Sequence, residues 1–289
     1  MTSSFDKVSM TAKLAAYMRQ FTDIPFAAEV AAFVQADAAY QGVLRDYGLK
    51  PEDITWYAPI FEVRYKSIAA TLRTSGISQV LEIASGLSLR GLAMTEDPSL
   101  TYIETDLAPL TAEKAALAPL IVEAHGLEPR PNHHLIAANA VDADSLQEAA
   151  GILDPSRPIA VVNEGLFPYL SPLELRTVAA NVRDLLRRFG GFWLTPDFSI
   201  RAEAEAVSEQ RRRVRQAVNG ATDREMYRAA FGSAAEMQDF FDELGLDAEA
   251  SLQVDAAPKA LSVDRLHLPP DTMDRLRPRL KLWTLRLAE

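Results

Sequence analysis

Four short segments carry residue types suited to ligand chemistry: Ala84-Ser85-Gly86, Glu104-Thr105-Asp106, Asn139-Ala140 and Glu164-Gly165. Small residues in the first let a ligand approach the backbone, and a following helix would offer its N-terminal amides. A plain turn satisfies the same residues. Asp106, 20 residues beyond Gly86, can accept both hydroxyls of a ribose, as in nucleotide-binding α/β folds. It can equally serve as a helix N-cap. The amide side chain of Asn139 with a neighbouring backbone N–H can read the edge of a base, or simply close a strand-to-helix turn. Glu164 ends an apolar run, so its carboxylate needs a partner, and an amino-bearing ligand is a natural one.

Each segment must be held by an element. The first 75 residues read as helices: Lys7 to Gln20, Ala27 to Tyr47, and a third from Ile60 to Leu72, on apolar spacings of three and four. Short apolar runs then alternate with helical stretches. Gln79–Ala84, Thr101–Thr105, His134–Ala138, Pro158–Asn163 and Gly191–Thr195 read as strands. The helices between them, Ala108 to Ala124 and Pro172 to Phe189 among others, make right-handed crossovers and a parallel sheet. All four segments fall just past strand ends, where open α/β sheets bind their ligands. Charged helix follows Asp197 up to about Phe231, then a helix from Ala234 to Leu244. The runs Ala250–Val254 and Leu280–Leu287 read as a terminal antiparallel pair on the sheet edge.

Composition narrows the function. The 289 residues include 40 acidic and 30 basic ones, a formal net charge of −10, which argues against nucleic acid as partner. Apolar runs stay far below the ~20 residues of a membrane span. The N-terminus lacks a basic-then-apolar signal, so a cytoplasmic location is expected. Cysteine is absent and there are four histidines, which removes thiolate chemistry and leaves little room for a metal cage, so no metal is expected. His133 and His134 read as surface residues at the far end of the sheet. Trp56, Tyr57 and Phe61 read as core before pocket wall, and the arginines from Arg211 to Arg215 as a solvated, salt-bridged face.

The segments Leu81–Arg90, Tyr102–Leu107 with Lys114 downstream, and Glu164–Leu170 resemble, in order, the motifs of the leucine carboxyl methyltransferase family, which includes polyketide O-methyltransferases of the tetracenomycin type. The resemblance covers most of the chain. It implies a class I fold dependent on S-adenosyl-L-methionine, a Rossmann-like seven-stranded sheet whose last strand is antiparallel. It also implies one domain over 1–289: a helical cap (1–76), a cofactor-binding core (77–197), a helical insertion after the fifth strand (198–232) and a terminal helix and strands (233–289). Carried over by position, Ala84, Ser85 and Gly86 lie against the methionine part of the cofactor. Asp106 holds the ribose, Asn139 and Ala140 meet the adenine, and Glu164 faces the sulfonium end. Arg64 grips the cofactor carboxylate, with Lys13 in a similar role from the first helix. The chain departs from the family at Ala84, where Gly is usual and a negative φ would keep close approach, at Ser88, where an acid is usual, and at Asn139.

The expected reaction is methyl transfer to a carboxylate or hydroxyl of a small molecule, polyketide-like in the tetracenomycin case, by a monomer or homodimer. A carboxylate is already ionised and needs only alignment. A hydroxyl needs deprotonation, for which Tyr169 is the nearest candidate. The rivals are a binding module without turnover and a dinucleotide-dependent oxidoreductase; the latter lacks the three-glycine fingerprint here.

Overall fold

The computed structural model describes residues 4–205, 209–222 and 224–288. Residues 1–3 of the N-terminus read above, and 206–208 and 223 of the expected insertion, lie outside the described residues. Seven strands form one sheet: β1 (Gln79–Ile83), β2 (Thr101–Asp106), β3 (His133–Ala137), β4 (Ile159–Asn163), β5 (Gly191–Thr195), β6 (Leu246–Leu252) and β7 (Lys281–Leu287). Their order is β3-β2-β1-β4-β5-β7-β6. Strands β1 to β5 pair in parallel, and β7 runs antiparallel to both β5 and β6. This is the seven-stranded sheet with an antiparallel last strand that the resemblance implied. The strand order reverses between β1 and β4, so the loops that follow them diverge and open a cleft.

The helices are α1 (Ser4–Arg19), α2 (Ala27–Phe33), α3 (Ala36–Tyr47), α4 (Pro51–Thr55), α5 (Ala58–Thr74), α6 (Arg90–Met94), α7 (Ala108–Ala124), α8 (Ala143–Ala149), α9 (Pro172–Phe189), α10 (Arg201–Glu205), α11 (Glu209–Thr222) and α12 (Ala234–Leu244), with three short ones after β6. Helix α9 shows why the pattern was readable: Ser171 and Glu174 form a reciprocal cap, Pro172 opens the first turn and Gly190 ends the helix.

Strands β1 and β4 are buried at every position. Leu81, Ile83, Ile103, Val161 and Trp193 face α8, α9 and α12 on one side. Val80, Tyr102, Val162 and Leu194 pack with Tyr65 and Ile68 of α5 on the other. Glu82 of β1 and Glu104 of β2 lie side by side in register. Two neighbouring carboxylates in an apolar layer need cations, and the site is built around those cations.

Two elements depart from the sequence expectation. The helix expected over Ala27–Tyr47 is broken at Gln35, whose φ of 52° divides α2 from α3. No glycine or proline marks the break, so periodicity alone reads through it. The strand expected over Ala250–Val254 is Leu246–Leu252, and Gln253–Ala256 is a helical turn. Four of the seven β6 side chains are exposed, so its edge position gave little apolar alternation to read.

Candidate functional site

The loop after β1 turns on two left-handed residues, Ala84 at φ 52° and Gly86 at φ 57°. The negative φ that would keep close approach at Ala84 is not adopted: the turn leaves β1 in a conformation that disfavours a Cβ, and Ala84 bears that strain. Ser85 is tied down on both sides. Its amide donates to Thr105 O at 2.9 Å, and its hydroxyl accepts from Lys114 Nζ at 2.8 Å. A Cβ on Gly86 would meet nothing within 4 Å, so the space beside the turn is open.

Asp106 clasps this turn. Its Oδ2 accepts from Gly86 N at 2.8 Å and its Oδ1 from Leu107 N at 2.7 Å. The N-cap of α7 is Leu107, so Asp106 is not the cap that the simpler reading supposed. A carboxylate has about four lone-pair sites, so two remain for a ligand hydroxyl pair. Burial raises its pKa despite the two amides.

Glu104, two residues earlier, is fully buried and anchors the site from below. It accepts from Lys114 Nζ at 3.1 Å and Gly91 N at 2.7 Å, and His133 Nε2 lies 3.1 Å away. Burial alone would raise its pKa, but Lys114 and His133 overcome this and hold it down at about 2. The surface reading of His133 is thus overturned: its side chain is only 6% exposed. The β3 backbone starts at the far end of the sheet, yet the ring folds inward to the acid of β2.

The loop after β4 carries the opposite wall. Glu164 Oε2 accepts from Arg90 Nη2 at 2.5 Å, and Oε1 from Arg19 Nη2 at 3.0 Å. Arg90 has no exposed surface; its other arm donates to Glu82 Oε1 at 3.0 Å and its plane lies 4.7 Å from the Tyr65 ring centroid. Burial would raise the pKa of Glu164, but Arg19, Arg90 and Arg64 together hold it below the ordinary carboxylate value. Glu82 goes the other way, raised by burial against Arg90. Sequence reasoning expected a cationic partner for Glu164 and missed that the chain supplies two; Arg90, eight residues after the buried Glu82, was the available signal.

The remaining candidates divide. Arg64 stands on α5 within electrostatic reach of Glu164, Asp197 and Tyr169. It is not spent on Glu62, which instead accepts from Lys66 Nζ, Leu261 N and Ser262 N. Lys13 lies 3.7 Å from Glu113 of α7, and a second basic residue of the same helix, Arg19, meets Glu164. Six residues separate them, and the spacing of the N-terminal helix alone gives no register. Asn139 is exposed, with its Oδ1 accepting from Val141 N at 3.3 Å, while Ala140 is buried and its carbonyl accepts from Asn181 Nδ2 at 3.0 Å. Tyr169 is hydrogen-bonded to Thr11 of α1, and burial pushes its pKa up to about 12. Burial thus favours the protonated phenol at neutral pH. Of the arginine run, Arg212 lies 3.6 Å from Glu209 as expected of a salted face, but Arg211 covers the Trp56 ring at 3.8 Å.

Several polar atoms at the cleft are buried with no hydrogen-bond partner among the described residues: Arg64 Nε, Arg90 Nε, Tyr65 Oη, Arg19 Nε and Ser88 Oγ. Arg19 and Ser88 line one small recess with Leu87, Leu89 and Ile24. Open space at Gly86, a carboxylate with spare capacity, and orphaned donors beside Glu164 are what a zwitterionic nucleoside ligand would use.

Residues 56–183 match the leucine carboxyl methyltransferase family model. The resemblance read from the loops is present over that segment, from α5 through β4 and most of α9. A "Putative S-adenosyl-L-methionine-dependent methyltransferase" of Mycobacterium ulcerans is 31% identical over 126 residues, 43% of this chain and 38% of that protein. A Mycobacteroides abscessus protein of the same name is 35% identical over 99 residues, 34% of this chain and 30% of that one. The chain thus matches well under half the length of these curated relatives. Among solved structures, a DUF574 family protein from Streptomyces avermitilis is similar with a TM-score of 0.59 at 16% identity, covering 96% of this chain and 97% of that one. A "putative methyltransferase" from Thermobifida fusca gives a TM-score of 0.57 at 16% identity, over 96% and 94% of the two chains. These two establish the shared fold.

Proposed function

We propose that this chain is an S-adenosyl-L-methionine-dependent methyltransferase acting on an oxygen of a small molecule, with all of 1–289 as one domain. The observation that carries the reading is the pairing of two sites across the β1–β4 cleft. On one side Asp106 clasps the open Gly86 turn at 2.8 Å; on the other Glu164 stands between Arg19 and Arg90. Asp106 suits the ribose hydroxyls. Glu164 suits the ammonium of the amino-acid end, and Arg64, with its free Nε, suits the carboxylate. Gly86 with Ala84 and Ser85 borders the methionine part, and Asn139 and Ala140 the adenine.

When bound, the cofactor supplies an electrophilic methyl on a positively charged sulfur, lost as the neutral thioether when an acceptor oxygen attacks the carbon. The chain's part is to hold the two partners in line and keep water out. A carboxylate acceptor fits this equipment best. It arrives ionised and needs no base, and burial raises the pKa of the Tyr169 phenol above its ordinary value. Tyr169 therefore donates a hydrogen bond to the acceptor instead of removing a proton. A polyketide-like acid satisfies the same demand. No helix among the described residues is long and apolar enough to cross a membrane. The reading keeps a cytoplasmic enzyme, monomer or homodimer, that acts on a small molecule and not on nucleic acid, and that uses no metal.

The test is an acceptor screen with cofactor carrying a labelled methyl group. The reading expects label in a base-labile ester of a small acid. Label in a base-stable ether would place the acceptor among hydroxyls, and cofactor binding without transfer to any acceptor would favour the binding module.

A further inference from the structure

Two residues past β5 stands a buried acid with an unusual number of partners. Asp197 Oδ1 accepts from Gly165 N at 2.8 Å. Its Oδ2 accepts from Leu166 N at 2.8 Å, Phe167 N at 3.2 Å and Asn163 Nδ2 at 2.8 Å. Asn163 is itself oriented by Trp193, whose Nε1 donates to Asn163 Oδ1 at 2.7 Å. Three consecutive backbone amides and a side-chain amide thus converge on one carboxylate, 6% exposed. Such convergent N–H dipoles hold an anion far better than a neutral acceptor.

The amides belong to the loop that begins at Glu164. Gly165 turns that loop at φ 79°, so the direction of the Glu164 side chain depends on how the next three residues are held. Arg19 and Arg90 hold the Glu164 carboxylate from the cleft side; Asp197 holds its backbone from behind, through the β5 end. Four donors of the chain already engage the Asp197 carboxylate, three of them at Oδ2.

We infer that Asp197 is a positioning residue: it fixes the Gly165–Phe167 amides so that Glu164 presents its carboxylate to the amino-acid end of the cofactor. This rests on the methyl-transfer reading. Asp197 touches no substrate and acts only through the loop. Its effect should accordingly be confined to ligands that have an amino-acid end.

The experiment is calorimetric titration of the full chain with S-adenosylhomocysteine and with 5′-methylthioadenosine, which keeps adenine, ribose and thioether but lacks the amino acid. Wild type, Asp197→Asn, Glu164→Gln and the double variant are compared. The proposal expects Asp197→Asn to weaken S-adenosylhomocysteine tenfold or more while methylthioadenosine stays within twofold, and the double variant to bind no more than twofold weaker than Glu164→Gln alone. Should Asp197→Asn fail to fold, Asn163→Ser, which removes one of the four donors, must shift selectivity in the same direction. Unchanged S-adenosylhomocysteine affinity, equal loss of both ligands, or losses that multiply in the double variant each overturn it. A wild-type chain that binds neither ligand overturns the methyl-transfer reading and the inference with it.

Discussion

Arg90 and Glu164 meet at 2.5 Å across the strand-order switch, and the same guanidinium reaches Glu82 at 3.0 Å. One side chain from α6 therefore neutralises acids from β1 and from the loop after β4. The cleft is held by charge as much as by packing, and the predictions follow from that.

Replacing Arg90 leaves two buried carboxylates short of their cation. Arg90→Met is expected to cost about 3–5 kcal/mol, the range for removing one partner of a buried pair. Denaturant titration measures it; a loss below about 1 kcal/mol would mean that Glu82 and Glu164 are satisfied without Arg90.

Asp106→Ala removes both its amide contacts and its spare acceptor sites. Because Gly86 N and Leu107 N lose their partner, some stability is lost whichever role Asp106 has, on the order of 1–3 kcal/mol. Cofactor affinity is the discriminating quantity. It should fall by roughly 2–3 kcal/mol if the carboxylate holds the ribose, and stay unchanged if Asp106 serves only the turn.

Arg64→Lys keeps the charge but not the planar fork. With Glu62 already engaged by Lys66 and the 261–262 amides, the thermal midpoint should stay nearly unchanged while S-adenosyl-L-methionine binding weakens. A shifted midpoint with normal affinity would make Arg64 a structural residue.

The pH dependence centres on Glu104. Its folded pKa, about 2, lies below the unfolded value of about 4.3. The stability it contributes is fully present above that unfolded value and is lost as pH falls from there through about 2. Asp106, Asp197 and Glu82, whose pKa values burial raises, titrate in the opposite sense and partly mask the loss. The clean measurement is the difference between wild type and Glu104→Gln in denaturant. That difference should be largest near neutral pH and shrink by on the order of 2–3 kcal/mol toward pH 2; a difference constant with pH would contradict the assignment.

Ala84 offers the smallest test. Its φ of 52° costs an alanine about 1–2 kcal/mol, whereas glycine adopts that conformation freely at an entropic cost of about 0.5–1 kcal/mol. Ala84→Gly should leave the melting midpoint unchanged or raise it slightly, by calorimetry. A clear drop would show that the alanine methyl contributes packing that outweighs its strain.

The parallel core and four of the loops were legible because buried strands such as Ile159–Asn163 are continuous apolar runs, and because Ser171 and Gly190 bracket α9 so plainly. What stayed hidden was the pairing of charges. That Arg19 reaches Glu164 depends on the rotation of α1 against α5, which no local pattern encodes. That His133 turns inward to Glu104, or that Asp197 gathers amides from a loop 30 residues earlier, depends on strand register. The acids themselves could be found in the sequence; their partners come from other elements and appear only once the sheet is assembled.

The measurement that bears most directly on the whole account is a calorimetric titration of the wild-type chain with S-adenosylhomocysteine. The cleft between Gly86, Asp106 and Glu164 predicts one site per chain with a dissociation constant in the low-micromolar range or tighter, about −8 kcal/mol. Absence of any heat or thermal shift at millimolar ligand would contradict it.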